Sequence, residues 1–329
     1  MLPERRRAMK QWVWILFAVV LLSPLTGPGP ADAGPPIRIA YLQSDIHQLA
    51  CWVALDQGYY QAAGLDVEVA GIFKAGPEEM SAFAAGELDM GYVGEAPATT
   101  AVANGVARVT VLAQVNTEGS AIMVRKDAPV KTLKDLVNKR IAIPGHSTVQ
   151  DFLLRKALTK FKVAESQVQI TVLKPPEMIG ALSGRQINAF IAWEPYPAKA
   201  QTAGIGKVLL TSAQIWRNHP CCVLVADNRF LKERPQEARS LVKAHVRATD
   251  YINTHPEDAV RIGVKYTGMD TETVRLAIKN VNYTYQLSVE GETEYVNFLT
   301  RLKYIRVPDV TAFVDRFIDQ AILAEILSP

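Results

Sequence analysis

Three histidines, two carboxylates and a pair of adjacent cysteines are the residues of this 329-residue chain best equipped to hold a small molecule or ion. His219-Pro220-Cys221-Cys222, together with His47, His146 and Glu95, offers the nitrogen, sulfur and oxygen donors of a metal site. The stretch has neither C-x-x-C nor H-x-x-x-H spacing, so any such site would have to be assembled from distant segments. The chain is therefore read as carrying no metal, no cofactor and no catalytic residue. Gly145-His146-Ser147-Thr148 has a different capacity. Free backbone N–H groups at a helix start, helped by two hydroxyls, attract anions; the plainer alternative is that Ser147 or Thr148 caps its own helix. Glu95 and Glu194 can hold an amine, an amidine or a metal ion, or can simply be solvated. Trp193 can stack on a planar or apolar part of a solute, or can be core.

Helices and strands must bring these side chains together. From Ile37 onward, short β-rich runs alternate with helical stretches. Strands are expected at 37–41, 65–69, 89–92 and 108–114, with helices at 47–63, 77–85 and 96–103 between them. Gly64, Gly86 and Gly184 are expected to take the left-handed conformation where helices stop. Asp89 and Asn188, just before strands, are read as turn residues. A second series follows, with strands at 121–124, 140–143, 168–173, 187–192 and 207–210 and helices at 133–136, 148–158, 177–182 and 195–202. The same alternation twice implies an α/β protein of two lobes, each with a mainly parallel sheet and flanking helices. Residues 34–118 form the first part of lobe one, 119–222 form lobe two, and 223–329 return to lobe one and add C-terminal helices.

In such sheets the binding crevice lies beyond the carboxyl ends of the strands. That rule selects Gln43, His47 and Gln48 after the first strand, Glu95 after the third, and Asn116 near the expected hinge. From the second lobe it selects His146, Ser147, Thr148, Trp193 and Glu194. Asp45 is read as an N-cap. Nothing resembles a nucleophile elbow, a phosphate-binding loop or a zinc-protease helix.

The N-terminus carries Arg5-Arg6-Arg7 and Lys10, an apolar run from Trp12 to Leu22, a Pro/Gly-rich break and Ala31-Asp32-Ala33. This is the pattern of a cleaved secretory signal peptide over residues 1–33; the apolar run is about half the ~20 residues of a membrane span. An uncleaved anchor is the alternative. Loss of these residues removes four basic and two acidic groups, lowering the formal net charge from +3 to +1. So nearly neutral a chain is a poor partner for nucleic acid. Of the three cysteines, only Cys51 with Cys221 or Cys222 offers a plausible disulfide; otherwise all three are small buried hydrophobes.

Three stretches carry a family resemblance. They are Ala54-Leu55-Asp56-Gln57-Gly58-Tyr59-Tyr60 through Val69, Ala85-Gly86-Glu87-Leu88-Asp89-Met90-Gly91-Tyr92 leading to Pro97 and Asn104-Gly105, and Ala181-Leu182-Ser183-Gly184-Arg185-Gln186-Ile187-Asn188-Ala189-Phe190 ending in Trp193-Glu194-Pro195. In this order the chain resembles the taurine/nitrate/sulfonate branch of periplasmic binding proteins, which is related to the thiamine-precursor binders. The resemblance implies the type II periplasmic-binding-protein fold with a ligand cleft between its lobes. It also implies capture of a small polar solute by hinge closure, delivery to an ABC transporter permease in the cytoplasmic membrane, and a monomer working in the periplasm. Ligand contact by the 145–148 turn and by Trp193 is likewise implied by the resemblance. Yeast-type pyrimidine synthases share the fold and use a cysteine-rich iron motif, of which Cys221-Cys222 is only a fragment. A metal-assisted enzyme and a solute-sensing module for a membrane receptor stand as alternatives.

Overall fold

The computed structural model describes residues 34–328; the expected signal peptide lies outside them. Eleven strands form two sheets: β1 (Ile37–Leu42), β2 (Val67–Phe73), β3 (Met90–Gly94), β4 (Val109–Glu118), β5 (Ser120–Arg125), β6 (Arg140–Ile143), β7 (Gln169–Val172), β8 (Ala189–Trp193), β9 (Gly206–Thr211), β10 (Pro220–Asp227) and β11 (Val281–Tyr283). The first sheet has the order β11-β4-β10-β3-β1-β2 and the second β7-β6-β8-β5-β9. β1 pairs in parallel with β2 and β3, whereas β10 runs antiparallel to both β3 and β4. In the second sheet β6 pairs in parallel with β7 and β8, and β5 runs antiparallel to β8 and β9. Both sheets are thus mixed, each with a parallel core and a strand inserted against the grain.

The inserted strands mark the crossovers. The chain leaves the first sheet at Glu118, turns at Gly119 and enters the second at Ser120. It returns before Pro220, since β10 already pairs with β3 and β4. The boundary expected between 222 and 223 falls inside this strand. Central strands β3 and β8 are buried along their whole length, as strands covered on both faces must be.

A matching device locks the parallel core of each lobe. Asp89, just before β3, accepts the Arg38 backbone N–H (2.9 Å) and its guanidinium, which also donates to Gly86 O. Asn188, just before β8, accepts the Arg140 backbone N–H (3.0 Å), while the Arg140 guanidinium donates to Gln186 O. These two residues tie neighbouring strands together rather than serving turns. The expected helix over 47–63 is interrupted at Gly58 (φ +65), giving Leu49–Asp56 and Tyr59–Ala62. At the end of helix Pro175–Ser183 it is Arg185 (φ +59), not Gly184, that takes the left-handed position.

The C-terminal helices return mainly to the first lobe. Helix Pro235–Thr254 packs on Leu49–Asp56, and helix Val289–Arg301 on Glu95–Ala103. They also bridge to the second lobe: Lys199 pairs with Asp270 (2.7 Å) and Lys156 with Glu294 (2.6 Å). Among the described residues no helix is long and apolar enough to cross a membrane.

Candidate functional site

The two lobes meet around a cavity of about 10 Å³, room for about one water molecule. The first lobe supplies Asp45, His47, Cys221 and Cys222, and the second supplies Thr148, Gln150 and Trp193. Every one of these side chains is buried. An ion pair between Lys174 and Glu78 and a hydrogen bond from Ile46 N–H to Glu194 O (3.1 Å) join the lobes beside the cavity.

The chain leaves β1 through an exposed Gln43 and caps the next turn with Asp45, whose Oδ1 accepts the His47 N–H at 3.0 Å. That cap fixes the His47 ring. Its Nε2 donates to Gly119 O at 2.9 Å, and Nδ1 lies 3.5 Å from Cys221 Sγ, 3.7 Å from Cys222 Sγ and 3.5 Å from Asp45 Oδ1. Burial opposes charge on the ring, but Asp45 and Cys221 outweigh it and raise the His47 pKa to about 9. Burial also opposes ionisation of Cys221, yet the Cys222 thiol and His47 pull its pKa well below the usual value. Burial and the neighbouring Cys221 push Cys222 the other way. Gln48 stands behind, donating to Asp45 Oδ2 (3.1 Å) and Cys222 Sγ (3.6 Å). All three cysteines are free, so the Cys51 disulfide is not formed.

In the second lobe Thr148 caps helix Val149–Lys160, accepting the Asp151 N–H at 3.2 Å and donating to Gly145 O at 2.7 Å. The expected anion position is taken by the chain's own Asp151. Its carboxylate accepts the Ser147 N–H (3.0 Å), the Arg155 guanidinium (2.8 Å) and the Tyr304 hydroxyl (2.9 Å). His146 lies outside the cavity with its side chain 62% exposed. Gln150 donates to Ser120 Oγ at 3.0 Å across the foot of the cavity. Trp193 Nε1–H has no partner among the described residues.

Three of the ten residues expected at the site therefore line the cavity: His47, Thr148 and Trp193. Gln43, Gln48, Glu95, Asn116, His146, Ser147 and Glu194 stand apart from it, each for a local reason. Glu95 is buried in the first lobe, accepting from Gln114 (3.3 Å) and sharing its environment with Glu292, to which Thr99 donates at 2.8 Å. Burial raises the Glu95 pKa to about 7 despite its hydrogen bonds to Glu292 and Gln114. Glu194 accepts the Ala198 N–H (2.9 Å) and the Asn280 amide (2.6 Å); burial raises it to about 7 as well. Both carboxyl groups are engaged within the protein. Asn116 donates to Glu118 O at 3.2 Å and braces the turn at Gly119. Of the metal donors considered together, only His47, Cys221 and Cys222 converge. Gln150 is not among the residues selected from the sequence, although its place in the first turn of a cleft-facing helix is a usable signal.

The NMT1-like family model matches residues 34–263. A Bacillus subtilis protein named for binding aliphatic sulfonates is 27% identical over 329 residues, covering 95% of this chain and 97% of that one. Among solved structures, a ligand-binding component of an ABC-type import system from Staphylococcus aureus with zinc bound superposes with a TM-score of 0.79. Its identity is 19%, over 88% of this chain and 98% of that one. The periplasmic nitrate-binding protein of a Synechocystis strain gives a TM-score of 0.78 at 18% identity, over 88% of each chain. At these identities the two structures share the fold.

Proposed function

The chain belongs to the NMT1-like family, and on that footing we propose that it is the extracytoplasmic solute-binding component of an ABC importer. It captures a small polar solute by closing its lobes and performs no chemistry on it. Residues 1–33 direct export and are removed, and the mature monomer delivers its solute to a permease in the membrane. The observation that carries this reading is the cavity walled by both lobes. A wall contributed half by each lobe is completed only on closure, so a solute that touches both halves has differential affinity for the closed form.

The solute class follows from the donors. Trp193 Nε1–H has no partner among the described residues, and Gln150 contributes an amide beside it. With Glu95 and Glu194 turned inward and both Asp45 oxygens taken up by the His47 N–H and the Gln48 amide, the cavity favours an oxyanion over an amine. The Bacillus relative named for aliphatic sulfonates and the nitrate-binding structural neighbour point the same way. At about 10 Å³ the cavity admits such a solute only after the lobes separate. The test is tryptophan fluorescence and thermal shift of the chain from residue 34 against alkanesulfonates, taurine, nitrate, amines and pyrimidines. A saturable response to one oxyanion class is expected; a flat response to the whole panel overturns the reading.

A further inference from the structure

We propose that His47, Cys221 and Cys222 form a binding site for one thiophilic d¹⁰ metal ion, Zn(II) or Cu(I), with the fourth position open to the interlobe cavity. Their donor atoms all lie within 4.8 Å of one another and all three residues are buried. Zn–S and Zn–N bonds of about 2.3 and 2.0–2.1 Å, set at the tetrahedral angle, place nitrogen and sulfur about 3.5–3.6 Å apart. The His47 Nδ1 distances to the two sulfurs are 3.5 and 3.7 Å. The imidazole nitrogen is already at ligand spacing from both sulfurs.

The backbone is shaped for it. Adjacent residues of a regular strand point to opposite faces, so a vicinal Cys pair normally offers one thiol to each side. Here the pairing of β10 with β4 shifts register on both sides of Cys222, and both thiols turn to the same cavity. Bulges re-aim side chains in this way. The outer shell is present too. Gly119 O can only accept, so His47 Nε2 carries a proton, and Nδ1 is the ring nitrogen that faces the sulfurs and gives up its proton when a metal binds. A ligating histidine characteristically donates its other N–H to a carbonyl or carboxylate. Gln48 donates to Cys222 Sγ, supporting one thiolate.

Two sulfurs and one imidazole nitrogen discriminate against Mg(II), Ca(II) and Mn(II), which prefer oxygen. Loading Zn(II) displaces two protons from the His47–Cys221–Cys222 set to solvent and forms one Zn–N and two Zn–S bonds, with no change of oxidation state. The remaining position faces Thr148, Gln150 and Trp193 across a space that fits a water or a single donor atom of a solute.

The test uses the chain from residue 34, reduced and stripped with a chelator. Co(II) is added first as a spectroscopic probe, then Zn(II) in competition with a chromophoric chelator, and Cu(I) with its own chelator. The expected results are one ion per chain, thiolate-to-cobalt charge-transfer absorption, and protection of two thiols from a thiol reagent. Cys221→Ser and Cys222→Ser should each weaken uptake at least tenfold, while His146→Ala leaves it unchanged. Thiol protection on the unaltered chain keeps the test decisive should a serine variant misfold. Failure to take up an ion, or equal uptake by a folded Cys221→Ser/Cys222→Ser variant, overturns the proposal. Solute binding measured with chelator present is a separate readout, so the transport reading can survive that failure.

Discussion

Gly119 sits at the first crossover between the sheets with φ +82, and a Cβ built on it would lie 2.2 Å from His47 Nε2 and 2.8 Å from Val281 Cγ2. Gly119→Ala therefore carries three costs. The left-handed conformation costs an L-residue about 1 kcal/mol. His47 is wholly buried and cannot swing into solvent, so the ring must shift, and its 2.9 Å bond to Gly119 O is lost at about 1 kcal/mol. Overpacking against the ring and Val281 adds about 1–3 kcal/mol. The expected destabilisation is about 3–5 kcal/mol. Gly64→Ala is the matched control, because Gly64 has φ +72 with nothing within 4 Å of its Cβ position. It should cost only the conformational term of about 1 kcal/mol. Urea unfolding of both variants, compared at a common slope, measures the difference. If the two lose the same stability to within about 0.5 kcal/mol, the close approach of His47 to the hinge is wrong, and the anchoring of the cavity wall with it.

Glu79 is fully buried, and neither carboxyl oxygen has a hydrogen-bond partner among the described residues. Burial, with Asp45 nearby, pushes its pKa well up, so the folded state holds a proton that the unfolded chain releases above pH 4.5. That group's stability contribution is complete below pH 4.5 and is lost as pH rises. Glu79→Met should thus stabilise the protein by about 1–3 kcal/mol at pH 7 and by less at pH 4.5; chemical denaturation at both values checks it, and destabilisation at both refutes it. Glu95 has the same sign, its pKa raised from 4.5 to about 7. Stability should fall between these pH values, and Glu95→Gln should flatten the decline by about 2–3 kcal/mol, read from denaturation midpoints across the window. Lys174→Ala removes a partly exposed ion pair to Glu78 that joins the lobes. Solute affinity should drop about two- to fivefold at low salt, with the difference vanishing at high salt; a loss that is independent of salt would contradict a screened contact.

Periodicity made most of the fold legible, because apolar residues at strand or helix spacing have few other places to go. Where geometry departs from regularity, the sequence was silent. β10 begins at a proline and is bulged at Cys222, and no strand is expected over 220–227 from the sequence. The strand-end rule selects His47, Thr148 and Trp193 from sequence alone, and all three line the small cavity between the lobes. It could not tell which way a carboxylate turns: Glu194 sits at a strand end but faces the Ala198 N–H and Asn280. The turn expected to hold an anion is filled from within the chain for a readable reason. Asp151 follows Thr148 by three residues, the spacing of a capping box, and its carboxylate fills the position assigned to a ligand. The convergence of His47 on Cys221 and Cys222 spans 174 residues and rests on a bulge, neither of which spacing reveals.

Lobe closure by a solute is the central claim, and small-angle X-ray scattering tests it most directly. The chain from residue 34 is measured alone and with each oxyanion that alters its fluorescence. The account predicts a smaller radius of gyration at saturation, with a midpoint matching the fluorescence titration. A saturating solute that leaves the scattering profile unchanged, in a chain that is open beforehand, would contradict it.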